Sequence, residues 1–85
     1  MPHPLHDPRY QRVAALLAQI RRDRGLLQQD VADKLGRPQA YISKVESGVR
    51  RLDLIELMDI LRVLETDPHL FIDDLLSQTP PAVPR

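Results

Sequence analysis

The sequence contains no cysteine and no tryptophan, and it has only one phenylalanine and two tyrosines among 85 residues. Without cysteine the chain has no disulfide framework, no thiolate zinc site and no cysteine nucleophile, so we expect a cytoplasmic protein. Because aromatic residues make up only 4% of the chain, its core must be built from Leu, Ile, Val and Ala. These residue types favour packed helices over a sandwich of aromatic-rich strands.

Long hydrophobic runs and a net charge are also missing. The longest uninterrupted apolar run, residues 13–18, is far shorter than the roughly 18–20 residues of a membrane span. We therefore expect neither a transmembrane nor a signal segment. Twelve Lys and Arg residues balance twelve Asp and Glu residues, so the overall charge favours neither nucleic acid nor a membrane as partner. A chain of this length has room for one small domain.

Apolar residues recur at three- and four-residue intervals in five segments, each of which predicts a helix. Asp7–Pro8 and Asp67–Pro68 each place a capping acceptor before a proline that suits the first helical position. Asp53 and Glu56 have the spacing of a capping box ahead of the fourth helix. That helix carries a broad apolar stripe formed by Leu54, Leu57, Met58, Leu61 and Leu64.

The same signals predict the organisation of the chain. The first predicted helix ends near Gly25, the second covers residues 26–35, and the third covers residues 39–47. Prolines concentrate at both ends, where little apolar surface is available to order the chain. We predict a flexible N-terminal arm at residues 1–7, a helical domain at residues 8–76 and a proline-rich tail at residues 77–85.

The second and third predicted helices meet the steric demands of a helix-turn-helix over residues 28–45. Ala32 is the fifth residue of that segment, where two crossing helices leave room only for a small side chain. Gly36 is the ninth residue, where the turn requires a positive φ. A helical bundle that merely has a glycine between two helices is the alternative.

Residues 20–64 resemble the DNA-binding domain of the phage repressor and Cro family, also called the XRE family. The family pattern runs through an arginine, a glycine, Q-x-x-LA, a glycine, IS-x-x-E-x-G and a leucine-rich helix. The matching residues are Arg21, Gly25, Gln28, Val31, Ala32, Gly36, Ile42, Ser43, Glu46, Gly48 and the helix at 54–64. The resemblance implies an all-α, five-helix, lambda-repressor-like domain, which agrees with the five helices predicted from the periodicity.

The resemblance also implies that the third helix is the recognition helix, whose N-terminal turn enters the major groove. Gln39 has the donor and acceptor that match adenine, Lys44 has donors for guanine, and Ala40 can contact a thymine methyl group. The side chains expected to face base edges are Gln39, Ala40, Ser43 and Lys44. For each of them the alternative is an ordinary solvated helix face.

Phosphate contacts are expected around that helix. Gln28 opens the second helix, where its side chain and the free N–H groups can meet a phosphate. The full expected set is Gln28, Arg37, Tyr41, Ser47, Arg50 and Arg51, although an ordinary solvated loop is the alternative at Arg50 and Arg51. Arg21 and Glu46 occupy positions that can pair in relatives of the family, which implies a structural salt bridge from the first helix to the recognition helix.

The sequence departs from the family pattern at three positions. Leu27 and Pro38 stand where the family usually has a Ser or Thr cap, so both helix starts lose a side-chain acceptor worth about 0.5–2 kcal/mol. Pro38 also makes the first residue of the third helix uncertain by one position. Arg37 replaces an apolar residue, so its stem must cover the core while its charged end reaches solvent or DNA.

Residues suited to catalysis are few. His3 and His6 lie in the predicted arm, and His69 lies at a helix start, so we interpret all three as surface side chains rather than metal ligands. Asp73 and Asp74 are adjacent on a predicted helix and point in different directions, unlike a catalytic carboxylate pair. No phosphate-binding glycine loop and no serine triad motif is present. We expect a protein that is not an enzyme and that uses neither cofactor nor metal.

The fifth predicted helix has more apolar residues than so short a helix needs. Its side chains can belong to the core or to a symmetric dimer interface, and we favour the interface. The proposed interface residues are Leu70, Phe71, Leu75 and Leu76. Two recognition helices about 34–36 Å apart would then read one palindromic site, which gives a small domain useful specificity.

The resulting hypothesis is a transcriptional regulator, a repressor, that binds double-stranded DNA as a homodimer on a palindromic operator. The alternative is a protein-interaction module of the same fold, such as an antitoxin with a toxin as its partner, and a purely structural helical module is a third. Residues 9–51 contain ten basic and four acidic residues, whereas residues 52–85 contain two basic and seven acidic residues. The zero net charge therefore conceals a basic helix-turn-helix half and an acidic half that is expected to face away from phosphates.

Overall fold

The computed structural model describes residues 7–78, and they form five α-helices. The helices are α1 (Pro8–Asp23), α2 (Gln28–Leu35), α3 (Gln39–Glu46), α4 (Leu54–Val63) and α5 (Pro68–Gln78). The prediction of an all-α, five-helix fold is confirmed. Residues 1–6, which make up most of the predicted arm and include His3 and His6, and residues 79–85 of the predicted tail lie outside the described residues. The helix α5 runs to Gln78, two residues beyond the predicted end of the helical domain.

Aspartate side chains cap the N-termini of three of the five helices. Asp7 Oδ1 accepts a 2.8 Å hydrogen bond from the N–H of Arg9, and Asp67 Oδ1 accepts a 2.8 Å bond from the N–H of His69. At α4, Asp53 accepts from the N–H of Glu56 at 2.7 Å, while Glu56 Oε1 accepts from the N–H of Asp53 at 3.0 Å. The capping box predicted from the sequence is therefore formed.

The two helices of the helix-turn-helix begin without a side-chain cap. Leu27 and Pro38 are the N-cap residues of α2 and α3, and neither side chain accepts a hydrogen bond. Asp30 supports α2 from the other direction, because its carboxylate accepts the N–H of Leu27 at 2.8 Å. Pro38 has an extended backbone with ψ of 150°, so α3 begins at Gln39 with no shift of its start.

The core lies where all five helices meet. Leu17 from α1, Val31 from α2, Ile42 from α3 and Leu61 from α4 are each no more than 2% exposed. Phe71 from α5 is 1% exposed and completes this core. The expectation that Phe71 lines a dimer interface is therefore wrong, because a side chain enclosed within one chain offers no surface to a second.

The apolar stripe predicted to bury α4 against the core is only partly correct. Leu61 and Leu64 are buried as expected, but Leu54 is 69% exposed and Met58 is 41% exposed. Ile60, which was not in the predicted stripe, is buried instead. The helix thus turns a narrower face to the core than its apolar sequence indicates, and it leaves large apolar side chains on the surface.

The turn after α4 contains a non-glycine residue with a positive φ. Glu65 has φ of 53°, and the N–H of Thr66 bonds the carbonyl of Leu61 at 2.9 Å, which closes the helix. Glycine is the usual residue at such a position because it has no Cβ. Arg24 donates a hydrogen bond to the Glu65 carbonyl and links the ends of α1 and α4.

Residues 7–78 contain neither a helix suited to spanning a membrane nor a cluster of metal-binding side chains. No helix there combines the length and the apolar character needed to cross a membrane. In the same part of the chain, no group of three or more His, Asp or Glu side chains is placed to share a metal ion.

Candidate nucleic-acid interface

The helix-turn-helix is built from α2, a short turn and α3. Ala32 is fully buried where α2 meets α3, so the predicted need for a small side chain at this position is confirmed. Gly36 has φ of 68°, and the N–H of Arg37 bonds the carbonyl of Ala32 at 3.0 Å to close α2. The turn thereby places the first residue of α3 beside the first residue of α2.

The outer face of α3 presents four of the predicted site residues to solvent. Ile42 and Val45 point into the core at 2% exposure each, which fixes the rotation of the helix about its axis. The positions that remain on the outer face are Gln39, Ala40, Ser43 and Lys44, all of which are exposed. The structure therefore brings the predicted base-contacting side chains together on one surface, which we call the recognition face.

A chain of side-chain hydrogen bonds joins this face to the interior. Arg21 from α1 donates to Glu46 through Nε at 2.6 Å and through Nη2 at 3.1 Å, so the implied ion pair is present. Gln28 Nε2 donates to Glu46 Oε1 at 3.0 Å, and Gln39 Nε2 donates to Gln28 Oε1 at 2.6 Å. We call these four residues the Arg21–Gln39 chain.

Tyr41 lies between two arginines beside the recognition face. The guanidinium of Arg37 is 4.6 Å from the ring centroid and that of Arg50 is 5.0 Å from it, distances typical of cation–π contacts. The Tyr41 hydroxyl donates to Glu56 Oε2 at 3.3 Å. Partial burial, followed by the negative charge of Glu56, raises the pKa of Tyr41, so the phenol remains a protonated donor at neutral pH.

Arg50 is held by several contacts at once. Its Nη2 lies 2.5 Å from Glu56 Oε2, and its Nη1 donates to the carbonyl of Arg51 at 2.9 Å. Its own carbonyl accepts a 3.0 Å hydrogen bond from the hydroxyl of Tyr10 on α1. About 38% of the Arg50 side chain remains exposed, so the guanidinium is fixed in place yet still open to a further acceptor.

Ser47 and Arg51 complete the predicted phosphate-contacting set. Both are exposed, and Ser47 donates to the carbonyl of Lys44 at 3.1 Å. Arg51 lies 5.3 Å from the ring centroid of Tyr10. Between these two residues Gly48 has φ of 81°, a backbone conformation that strains any residue with a Cβ, so glycine is strongly favoured in this turn.

Sequence reasoning missed two residues that shape this surface. Glu56 was identified as a helix cap, but its second oxygen also takes an ion pair from Arg50 and a hydrogen bond from Tyr41. Tyr10 was not singled out, although it supports the backbone of Arg50 from 40 positions away. The spacing of Asp53 and Glu56 signals only the cap, and no local pattern signals the contact of Tyr10.

Exposed apolar side chains also lie on α4 and on α5, in the acidic half of the sequence. Leu70 is 63% exposed and Leu76 is 71% exposed, whereas Leu75 is only partly exposed. On α4, Leu54 and Ile55 are 69% and 63% exposed. Single exposed apolar side chains are common on proteins, whereas a contiguous patch of them marks a surface that binds another protein.

The chain is similar in sequence and in structure to known helix-turn-helix proteins. A family model described as helix-turn-helix matches residues 17–71. The structure of an XRE-family-like protein from Pseudomonas syringae pv. tomato str. DC3000 is 44% identical with a TM-score of 0.80, over 88% of this chain and 92% of that one. No curated protein matches the chain by sequence.

Two further structures contain operator DNA. The restriction-modification controller protein C.Esp1396I, solved as a tetramer in complex with its natural 35 base-pair operator, is 27% identical with a TM-score of 0.79. That match covers 86% of this chain and 96% of the controller. A mutant of the same controller bound to its highest affinity operator site is 26% identical with a TM-score of 0.78, again over 86% and 96% of the two chains.

Proposed function

The chain belongs to the XRE family of helix-turn-helix proteins, which are DNA-binding transcription regulators, and from that membership we propose that it represses transcription as a homodimer on a palindromic operator. The observation that carries this proposal is the recognition face, where α3 presents polar side chains and Lys44 beside the Arg37–Tyr41–Arg50 contacts. We further propose that the protein acts in the cytoplasm, without a cofactor and without catalytic activity.

We propose that the recognition face reads bases in the major groove. Gln39 carries both an acceptor and a donor, which matches the N6 and N7 atoms of adenine. Lys44 reaches outward from the next turn of α3 and suits the O6 and N7 acceptors of guanine. Ala40 is small enough to admit a thymine methyl group, and Ser43 can donate to a base or to a phosphate.

The phosphate contacts are proposed to surround this face. Because Leu27 and Pro38 offer no side-chain acceptor, the first N–H groups of α2 and α3 are available to an anion. Arg50 stacks on the ring of Tyr41 and keeps about 38% of its side chain exposed, so its guanidinium is open to a phosphate. The proposed contacts are Gln28, Arg37, Tyr41, Ser47, Arg50 and Arg51.

A homodimer is proposed to form through α5. Leu70 and Leu76 expose most of their surface, and Leu75 lies partly exposed between them and the core. Covering these side chains with the same helix of a second copy would remove apolar area from water on both chains. A dimer also places two recognition faces on one DNA duplex, which a single domain of this size needs for specificity.

Selection of bound sequences from a random double-stranded DNA pool tests the proposal. The unmodified protein should enrich a palindromic motif, and replacing Gln39 and Lys44 together by Ala should remove the sequence preference while leaving nonspecific binding. Lys34→Ala is the matched control, because Lys34 is an exposed lysine of α2 outside the recognition face. If no motif is enriched at low salt, the proposed function is wrong.

The alternative is a protein-interaction module of the same fold, such as an antitoxin bound to a toxin. The exposed apolar side chains of α4, including Leu54 and Ile55, favour considering it, because they add surface beyond the proposed α5 interface. Purification from its native cells distinguishes the two functions. A second chain in fixed ratio together with no DNA motif would support the interaction module, whereas a lone homodimer that enriches a motif would support the regulator.

A further inference from the structure

We propose that Glu46 is a positioning residue that sets the base preference of the recognition face, because it decides which end of the Gln39 amide points outward. The inference rests on the proposed DNA-binding function and goes beyond it, since Glu46 is not among the proposed DNA contacts and its side chain is only 10% exposed. It follows from the Arg21–Gln39 chain and from the different hydrogen-bonding capacities of carboxylate, amide and guanidinium groups.

The Arg21–Gln39 chain of hydrogen bonds starts at the Glu46 carboxylate, which Arg21 holds in place. Arg21 binds both oxygens of Glu46, and its Nη1 donates to the carbonyl of Leu26 at 2.6 Å. The side chains of Arg21 and Glu46 are only 11% and 10% exposed, so water competes little for these bonds. Paired in this way, the Glu46 carboxylate only accepts hydrogen bonds.

Because Glu46 only accepts hydrogen bonds, the Gln28 amide can adopt only one orientation. The group that faces Glu46 Oε1 at 3.0 Å must be a donor, which only the NH₂ end of Gln28 provides. The carbonyl end of Gln28 is therefore directed toward Gln39. The acceptor-only chemistry of the Glu46 carboxylate therefore fixes the orientation of the Gln28 amide.

The orientation of the Gln28 amide then determines the orientation of the Gln39 amide. It must offer its NH₂ group to the Gln28 carbonyl, and the two atoms lie 2.6 Å apart. The carbonyl of Gln39 is left on the other side, where the exposed residue faces outward from α3. An outward acceptor favours bases that carry an exocyclic amino group in the major groove, and the second N–H of Gln39 adds a match to N7 of adenine.

The substitution Glu46→Gln should reverse this preference. Gln at position 46 can keep its carbonyl on Arg21 and turn its NH₂ group toward Gln28, which makes the Gln28 and Gln39 amides rotate by half a turn. Gln39 would then present a donor outward, which suits the exocyclic oxygen of guanine or thymine. At the position that Gln39 reads, we expect the preference for adenine to fall by roughly tenfold in the pool selection.

Gln28→Ala is a second variant that tests the positioning role of Glu46 even if Glu46→Gln fails to fold. Gln28→Ala leaves the Arg21–Glu46 pair intact but removes the link to Gln39, so the Gln39 amide can rotate freely and the preference should broaden without reversing. Gln29→Ala is the matched control, because Gln29 is the neighbouring glutamine of α2 and its side chain bonds only Asp33 at 2.7 Å among residues 7–78. That control should leave the preference unchanged.

A measurement without DNA separates the two proposals. In the free protein, the side-chain amide protons of Gln39 should show nuclear Overhauser contacts to Gln28 that change in Glu46→Gln, as expected for a rotated amide. If the unmodified protein selects no motif, the DNA-binding function fails, whatever the amide signals show. If it selects a motif that depends on Gln39 but Glu46→Gln and Gln28→Ala both retain that motif, the positioning role of Glu46 is wrong and the DNA-binding function stands.

Discussion

Phe71 and Leu76 lie five residues apart on α5 and are expected to respond to truncation in opposite ways. Phe71 is 1% exposed within one chain, whereas Leu76 is 71% exposed. Truncating a fully buried Phe to Ala costs about 3–5 kcal/mol, a large part of the roughly 5–15 kcal/mol of a small domain. Truncating an exposed leucine changes the stability of the isolated chain by no more than about 0.5 kcal/mol.

The dimer should show the reverse pattern. If Leu76 is covered by a second copy, Leu76→Ala removes about 1–2 kcal/mol of apolar burial from each copy of the dimer. Because both copies carry the substitution, dimerisation should weaken roughly 30- to 1,000-fold. Phe71→Leu is the milder core variant that keeps the chain folded. Leu27→Ala is the matched control, because Leu27 is an equally exposed leucine, 67% exposed, at the start of α2.

Two measurements on the same samples distinguish the roles. Chemical denaturation over a range of protein concentrations gives the stability of the chain, and sedimentation equilibrium gives the dimer dissociation constant. If Leu76→Ala destabilises the isolated chain as strongly as Phe71→Leu does, Leu76 contributes to the core and the assignment of its side chain to the surface is wrong. A chain that stays monomeric at every concentration would show that α5 forms no homodimer.

Three further outcomes are expected. Glu65→Gly should raise the free energy of unfolding by roughly 0.5–1 kcal/mol in thermal melts, since glycine adopts the positive φ of 53° without strain. The greater unfolded-state entropy of glycine offsets part of the strain that is relieved. Glu65→Ala should bring no such increase in the free energy of unfolding, because alanine retains a Cβ. Glu56→Gln keeps the acceptor for the N–H of Asp53 but releases Arg50, so DNA affinity at low salt should rise, and its logarithmic salt dependence should steepen by about one unit in fluorescence anisotropy. The hydrogen bond from the Arg9 side chain lowers the pKa of Asp7 to about 2, so the stability it adds is present above about pH 4 and is lost as the pH falls toward 2; melting temperatures of Asp7→Asn should lack that part of the acid dependence. A lower DNA affinity for Glu56→Gln would instead show that Glu56 helps by holding Arg50 in place.

Features that depend on short stretches of sequence could be predicted. Asp7 and Asp67 each cap a helix one residue before a proline, as expected, because capping needs only neighbouring residues. Ala32 and Gly36 occupy the crossing point and the turn for equally local steric reasons. The exposed set on α3 follows from the same logic, since Ile42 and Val45 fix which side of the helix faces the core.

Features that depend on the width of a buried face could not be predicted. The apolar residues of α4 recur with helical periodicity on more than one side, so periodicity alone did not show that Ile60 is buried and Leu54 exposed. Likewise the excess of apolar residues on α5 did not show that Phe71 enters the core while Leu76 remains outside. Only the positions of the neighbouring helices decide which side of each helix is covered.

The sequence by itself determined the five helices, the helix-turn-helix and the exposed side chains of the recognition face, because these follow from spacing, capping and turn chemistry over a few residues. Tertiary structure decided how those side chains are held. Arg21 and Glu46 are 25 positions apart, and Tyr10 and Arg50 are 40 apart, yet their contacts orient the groups proposed to meet DNA. Such contacts depend on the distances and angles between packed helices, which no local pattern encodes.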